Sequence, residues 1–292
     1  MTVLAHGADT RAESLTTMAL LVGVGLLAGA YGRGVHELWR RRGAGVVIPG
    51  WRVVAFGLGL LVPLIAVTGP VHELAEASLT GHMSQHMLLL VVAGPLLGAG
   101  APGLPLALAA PAALRRCWAR ARVGPTGRLL RRAGVLAVCC GLAQAVSLWL
   151  WHLPGPYTRA ERDPWIHAVE HACFLATAAA FWAAILGSRR HRLPAPLAVL
   201  MLFASMLPAS ALGAVFTLAP QPIYPDATDL VDQQRAGLLM WVPMDVLILG
   251  AALALFLRWF APSGPSTPAD PPATCRLESQ SPEPAVLPEG AQ

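Results

Sequence analysis

HMSQHMLLLVVAGPLLGAGAP, residues 82–102, is the stretch that decides how this chain is read. It opens on two histidines four residues apart, His82 and His86, and then runs uncharged to Pro102. About 20 consecutive apolar residues suffice to cross a bilayer as a helix, and hydrocarbon tolerates ionisable side chains poorly, so a polar group at the mouth of such a segment usually has a task. Residues at i and i+4 share one helix face, with Cβ atoms about 5–6 Å apart. Two imidazoles so placed can hold one metal ion, as the paired histidines of a helical HExxH zinc site do.

Working outward, the same spacing recurs in Trp165-Ile166-His167-Ala168-Val169-Glu170-His171, and His152 closes the apolar segment between the two pairs. Seven segments read as spans: 16–31, 51–69, 82–109, 133–152, 165–186, 195–218 and 236–258. The third is expected to bend near Gly94-Pro95. Composition agrees: 55% of the 292 residues are hydrophobic, only 13% are charged, and the mean hydropathy is +0.56. A soluble domain carries about 25% charged residues, so a chain this poor in charge takes lipid as its solvent. The fold class expected is therefore all-α, a polytopic transmembrane bundle of about seven spans occupying 16–260. It is flanked by a short extracytoplasmic N-terminus (1–15) and by a Pro-rich tail (261–292) whose composition cannot bury enough surface to fold.

Arginine placement orients the bundle. Fifteen arginines fall in the loops after spans one, three and five, and four (Arg11, Arg159, Arg162, Arg235) on the other side. The positive-inside rule then puts the N-terminus outside and the tail in the cytoplasm. There is no lysine, and the arginines are scattered over short loops, so the net charge of +5 speaks for anionic lipid rather than nucleic acid. Cys117, Cys139, Cys140, Cys173 and Cys275 include no CxxC pair, which disfavours a disulfide framework or a thiolate zinc site. The sequence also holds no GxSxG elbow, P-loop or Rossmann fingerprint, and a non-catalytic role is expected.

On this topology seven of the nine histidines (His6, His72, His82, His86, His152, His167, His171) lie on the outer side, against His36 and His191 on the cytoplasmic side. At about 1.5 Å per residue, His86 and His171 sit about 6–9 Å below their helix starts, level with His152. Spans three, four and five can thus present His82, His86, His152, His167 and His171 to one cavity. A single such pair also serves packing or interfacial snorkelling; two pairs and His152 at one depth point to metal. Imidazole suits copper, zinc and iron, and thioether selects Cu(I). Met83 and Met87 flank the first pair, Met240 and Met244 repeat the spacing on span seven, and Met201 and Met206 lie on span six. The soft surroundings favour copper, although methionine is also a routine core filler, and Met83 and Met87 point about 100° away from their neighbouring histidines. Glu170 and Asp245 are the acidic residues within spans, and Glu170 is expected to face away from the paired histidines. Asp232, Gln233 and Gln234 can orient imidazoles or cap span seven, the latter being the better reading of Asp232. Asp245, near mid-membrane, fits a proton or cation path.

These motifs resemble the cytochrome c oxidase assembly factors of the CtaG type associated with caa3 oxidases. The resemblance rests on residues 82–102, on WHLPGPYTRAERDPWIHAVEHACFLATAAAFW (151–182) and on DLVDQQRAGLLMWVP (229–243). It implies a multi-pass protein of the bacterial plasma membrane that helps mature haem–copper oxidase at the copper-delivery step, with the oxidase subunits as partners. The family's histidine pattern falls on His82, His86, His152, His167 and His171 without departure. Three other readings compete: a b-type haem held by histidines from facing helices, a metal-free scaffold for oxidase subunits, and a copper transporter. Oligomeric state is left open by the sequence.

Overall fold

The computed structural model describes residues 2–130, 132–186, 193–224 and 229–261, and every regular element among them is helical. The tail expected to be disordered (262–292) and the loop carrying Arg189, Arg190, His191 and Arg192 lie outside the described residues, as do Arg131 and Asp226. The chain divides into Met1–Trp259 and Phe260–Gln292, and of the second unit only its first two residues are described.

Six helices are long and apolar enough to cross a membrane, and a bent pair makes a seventh candidate. The first helix, α1 (Thr2–Arg42), is much longer than the span 16–31 read from its apolar run; its membrane-compatible part is Ala12–Arg42. Its flanks carry Ala, Glu, Leu and Arg and no proline, so nothing stops the helix before Gly43. There the chain turns left-handed (φ 89°), and the Gly43 amide donates to Trp39 O at 2.9 Å. The second span breaks: α2 (Gly50–Ala66) is followed after Gly69 (φ 62°) by α3 (Pro70–Ala77), bent by 47°. Pro70 starts α3 at the position where a missing N–H costs nothing.

The third span is also not one helix over 82–109. It runs as α4 (Leu79–Met87), a π-helical turn (Leu88–Ala93) and α5 (Gly94–Ala99), and α6 (Gly103–Ala109) follows separately. The widened turn sits just ahead of Pro95, whose ring crowds the carbonyl four residues back; the Gly94 amide reaches Leu89 O in the i→i−5 manner instead. Two arginine-rich helices, α7 (Ala112–Val123) and α8 (Pro125–Leu130), occupy what reads as a loop. Span four is α9 (Ala133–Trp151); the connecting segment after it is a helix as well, α10 (Pro154–Arg162). Spans five and six are α11 (Pro164–Leu186) and α12 (Ala195–Leu218). The seventh, α13 (Leu230–Phe260), starts six residues before the expected 236.

Helix α11 is the central column, packed against α9 on one side and against the π turn and α5 on the other. Glycine permits the second contact. A Cβ on Gly94 would lie 2.6 Å from Ala178 Cβ, and one on Gly98 would lie 2.6 Å from Trp182 Cβ. Gly94 and Gly98 are a small-xxx-small pair of the kind that lets membrane helices approach closely. The main apolar core gathers residues of α4, α9, α11, α12 and α13 around Phe174, Phe181 and Phe216; a second cluster around Tyr31, Phe56 and Leu97 joins α1, α2 and α5.

Candidate metal centre

Three helix ends and one connecting helix build the site. Helix α4 begins at Ser78, whose hydroxyl accepts from the Gly81 amide at 3.0 Å. A second cap comes from a distant helix: Asp232 of α13 accepts from the Leu79 amide (2.8 Å), the Thr80 amide (3.4 Å) and the Thr80 hydroxyl (2.6 Å). Asp232 therefore caps the helix that carries His82 and His86, 153 residues away from Leu79 in sequence, and meets the helix charge preference there. Helix α11 starts under the carboxylate of Asp163, which accepts from the Trp165 amide at 2.8 Å and the Ile166 amide at 3.4 Å. These caps fix where two i,i+4 histidine pairs enter the bundle.

The five imidazoles converge. His86 is the hub, with ring centroids 4.5 Å from His82, 5.3 Å from His171, 5.7 Å from His152 and 6.5 Å from His167. His82 stacks on His167 at 5.0 Å, and His167 lies 4.2 Å from His171. Phe174, 4.8 Å from His86 and 5.8 Å from His152, forms an apolar wall. His82, His86, His152 and His171 are buried, and His167 is half-buried.

Glu170, expected to face away, joins the cluster instead. It is fully buried, and its Oε1 lies 3.7 Å from Nε2 of His86. The periodicity explains the difference: positions 167, 170 and 171 are i, i+3 and i+4, so all three lie on one face. Ligand atoms of His82, His86, His167 and Glu170 all lie within 4.8 Å of one another, a grouping able to hold a metal ion. Metal–donor bonds of about 2.0 Å put the donors of one ion about 3–4 Å apart, so these four residues fit the donor spacing that a single ion would need.

Two hydrogen bonds orient the rings. His82 Nδ1 donates to Glu161 of α10 at 3.1 Å, and His152 Nδ1 donates to Leu148 O at 2.7 Å. Each bond engages Nδ1 and leaves the Nε2 of its ring buried and without a partner among the described residues, as in histidines whose second nitrogen is held by a hydrogen bond while the other is free to bind metal. Glu161 lies outside the spans, and the hydrogen bond from His82 holds its carboxyl below the usual carboxylate range, helped by the Tyr157 hydroxyl. Tyr157 stacks on Tyr224 at 3.8 Å, and the Tyr224 hydroxyl donates to His152 O at 2.8 Å; burial pushes both phenols up. Nothing in the sequence pattern marks Glu161, which reaches the site from a short helix between spans.

Among the described residues, the buried Nε2 atoms of His82, His86, His152, His167 and His171 and both oxygens of Glu170 lack hydrogen-bond partners. Leaving so many polar atoms buried and unpaired is costly, and a fully buried carboxylate most of all. A cation held among His82, His86, His167 and Glu170 would engage unpaired atoms of those four residues.

The remaining polar candidates make other bonds. Gln233 accepts from the Ile223 amide at 2.6 Å and donates to Phe216 O at 3.3 Å, and so ties α13 to α12 and the connection between them. Both carboxylate oxygens of Asp245 lie 2.9 Å from the Ser210 hydroxyl. Met83, Met87, Met240 and Met244 are buried in the main apolar core.

Fold and site together define a multi-pass membrane protein with a buried imidazole–carboxylate cluster at one end of its bundle. The chain belongs to the cytochrome c oxidase caa3 assembly factor family (Caa3_CtaG), whose family model matches residues 29–261. No curated protein and no solved structure matches it. The match covers all five clustered histidines as well as Glu161 and Glu170, and membership makes the subunits of a caa3-type oxidase the expected partners.

Proposed function

We propose that the chain binds a copper ion in the His82–His86–His167–Glu170 cluster and passes it to a nascent oxidase subunit, without catalysing a reaction of its own. The observation that carries this reading is the set of unpartnered, buried ligand atoms converging on one point in a chain of the oxidase assembly family. His152 and His171, whose rings touch His86, supply alternative ligands, so an ion can exchange one donor at a time while leaving. The donor set of imidazole and carboxylate, with the nearby methionines committed to the core, favours a divalent ion over Cu(I). That departs from the soft histidine–methionine site expected from the sequence.

The arginine bias supports a bundle over 16–260 that sits in the bacterial plasma membrane. In this arrangement the cluster and residues 1–15 face outward, and the tail from 261 is a disordered cytoplasmic segment. A b-type haem has less support. It needs a flat slot between two facing imidazoles, whereas the rings here crowd one another at 4.2–6.5 Å.

The test is the metal content of detergent-purified protein after growth with copper, wild type beside His86→Ala. Copper in the wild type and its loss in the variant are expected. Equal copper in both overturns the proposed site, and failure of both to bind leaves only the metal-free scaffold.

A further inference from the structure

The cluster is buried, yet one wall of it opens. A cavity of about 420 Å³ lies between α1, α2, α3, α10 and α11, and His82, Gln85, His167 and His171 line its inner end. Glu13, Glu76 and Glu161 line it further out. The side chain of Glu76 is 61% exposed and that of Glu161 39%, whereas Glu170 behind them is 0% exposed, so carboxylates step from water to the buried ligands. Glu161 stands at the junction, lining the cavity while it holds His82 Nδ1 at 3.1 Å. A second line of polar groups runs inward beside it. Glu76 contacts His72 Nε2 at 3.3 Å, and His72 Nδ1 lies 3.5 Å from the amide nitrogen of Gln85. Gln85 is fully buried, and its Oε1 has no hydrogen-bond partner among the described residues. Buried, unpartnered atoms of His82, His167, His171 and Gln85 therefore belong to side chains that line the cavity.

We propose that this cavity is the entry vestibule through which a divalent cation reaches the cluster, with Glu13 and Glu76 as outer capture groups and Glu161 as the relay between vestibule and site. The inference rests on the proposed metal site and adds its route of loading. A cleft lined by charge of one sign, with low-dielectric walls, concentrates counter-ions and raises their rate of arrival by about tenfold or more, and salt abolishes the gain. Carboxylates at the mouth of the cavity suit a hydrated divalent ion, and the imidazoles beyond them replace its water. Glu13 and Glu76 are exposed, so they govern the rate of loading and leave the final coordination to the buried set.

The experiment is stopped-flow mixing of the full-length detergent-solubilised protein with Co(II), whose visible absorption reports coordination by protein ligands. Glu13→Gln/Glu76→Gln is expected to lower the second-order loading rate by about fivefold or more at low ionic strength. The end-point absorbance stays at the wild-type level, and the gap narrows as salt is added. Each single variant falls between. Equal rates with equal end-points overturn the vestibule and leave the site standing, since the ion then arrives by another route. A lower end-point in the double variant also overturns it, because the two carboxylates would then be ligands. A wild type that gives no Co(II) spectrum overturns the metal site itself, and the vestibule with it.

Discussion

Oε1 of Glu170 stands 3.7 Å from Nε2 of His86, and among the described residues neither atom has a hydrogen-bond partner. A carboxyl and an imidazole left unpaired in a protein interior oppose folding by several kcal/mol, a cost that a cation between them offsets. Glu170→Leu is therefore expected to raise the thermal unfolding temperature of metal-free protein by several degrees while abolishing the shift that Cu(II) gives the wild type. Thermal unfolding in detergent, with and without Cu(II), checks both halves. A Glu170→Leu protein that is less stable than wild type without metal contradicts this account of the pair.

Glu161→Gln tests the orientation of His82. The glutamine keeps the size of the side chain and loses the charge that Nδ1 of His82 meets. Partners of this kind are worth about 10–100-fold in metal affinity. A loss in that range, measured by competition with a chelator of known affinity, is expected with little change in unfolding temperature. The carboxyl of Glu161 is held below its ordinary range. Its contribution is therefore present above the ordinary carboxylate range and disappears as pH falls through the lower folded value. Ligand imidazoles bind metal only in their unprotonated form, so affinity also declines with falling pH through proton competition. Binding titrations from pH 8 to 5 are expected to show affinity falling throughout in both proteins, with the wild type ahead at every pH.

Asp232→Ala removes the cap that α13 places on α4. Loss of an N-cap costs about 1–2 kcal/mol, and here it also frees the first turn of the helix that carries His82. Lower stability and weaker metal binding are expected together, and Asp232→Asn, which can still accept from the Leu79 amide, restores most of both.

Gly98→Val places a branched side chain where a Cβ already meets Trp182 Cβ at 2.6 Å. Over-packing of this kind costs about 1–3 kcal/mol, and denaturant unfolding in mixed micelles reads it. Gly57→Ala is the matched control. A Cβ at Gly57 meets nothing within 4 Å, so the change is neutral or stabilising by about 0.5–1 kcal/mol.

Much of this was legible in the sequence, and what was missed has identifiable causes. Apolar length located the segments that became α9, α11 and α12, because hydrocarbon thickness sets helix length directly. The break near Gly94-Pro95 is marked by its proline, whereas its π-helical form and the break at Gly69 are not marked in the sequence. A kink at Gly69 and a π turn before Pro95 depend on which carbonyls find partners in the packed bundle, and apolar content is blind to that. The five histidines stood out by spacing and depth. Glu170 stands between two histidines in the sequence, and only its i+3 relation to His167 puts it on their face. Glu161 and the cross-helix cap from Asp232 are long-range contacts, and no local period announces them.

The most direct measurement is X-ray absorption at the copper edge on Cu(II)-loaded protein, wild type beside Glu170→Gln. A first shell of nitrogen and oxygen only is expected, with the outer-shell scattering of several imidazoles, and one oxygen weakened or lost in the variant. A sulfur scatterer in the first shell, or spectra that do not differ between the two proteins, contradicts the proposed centre.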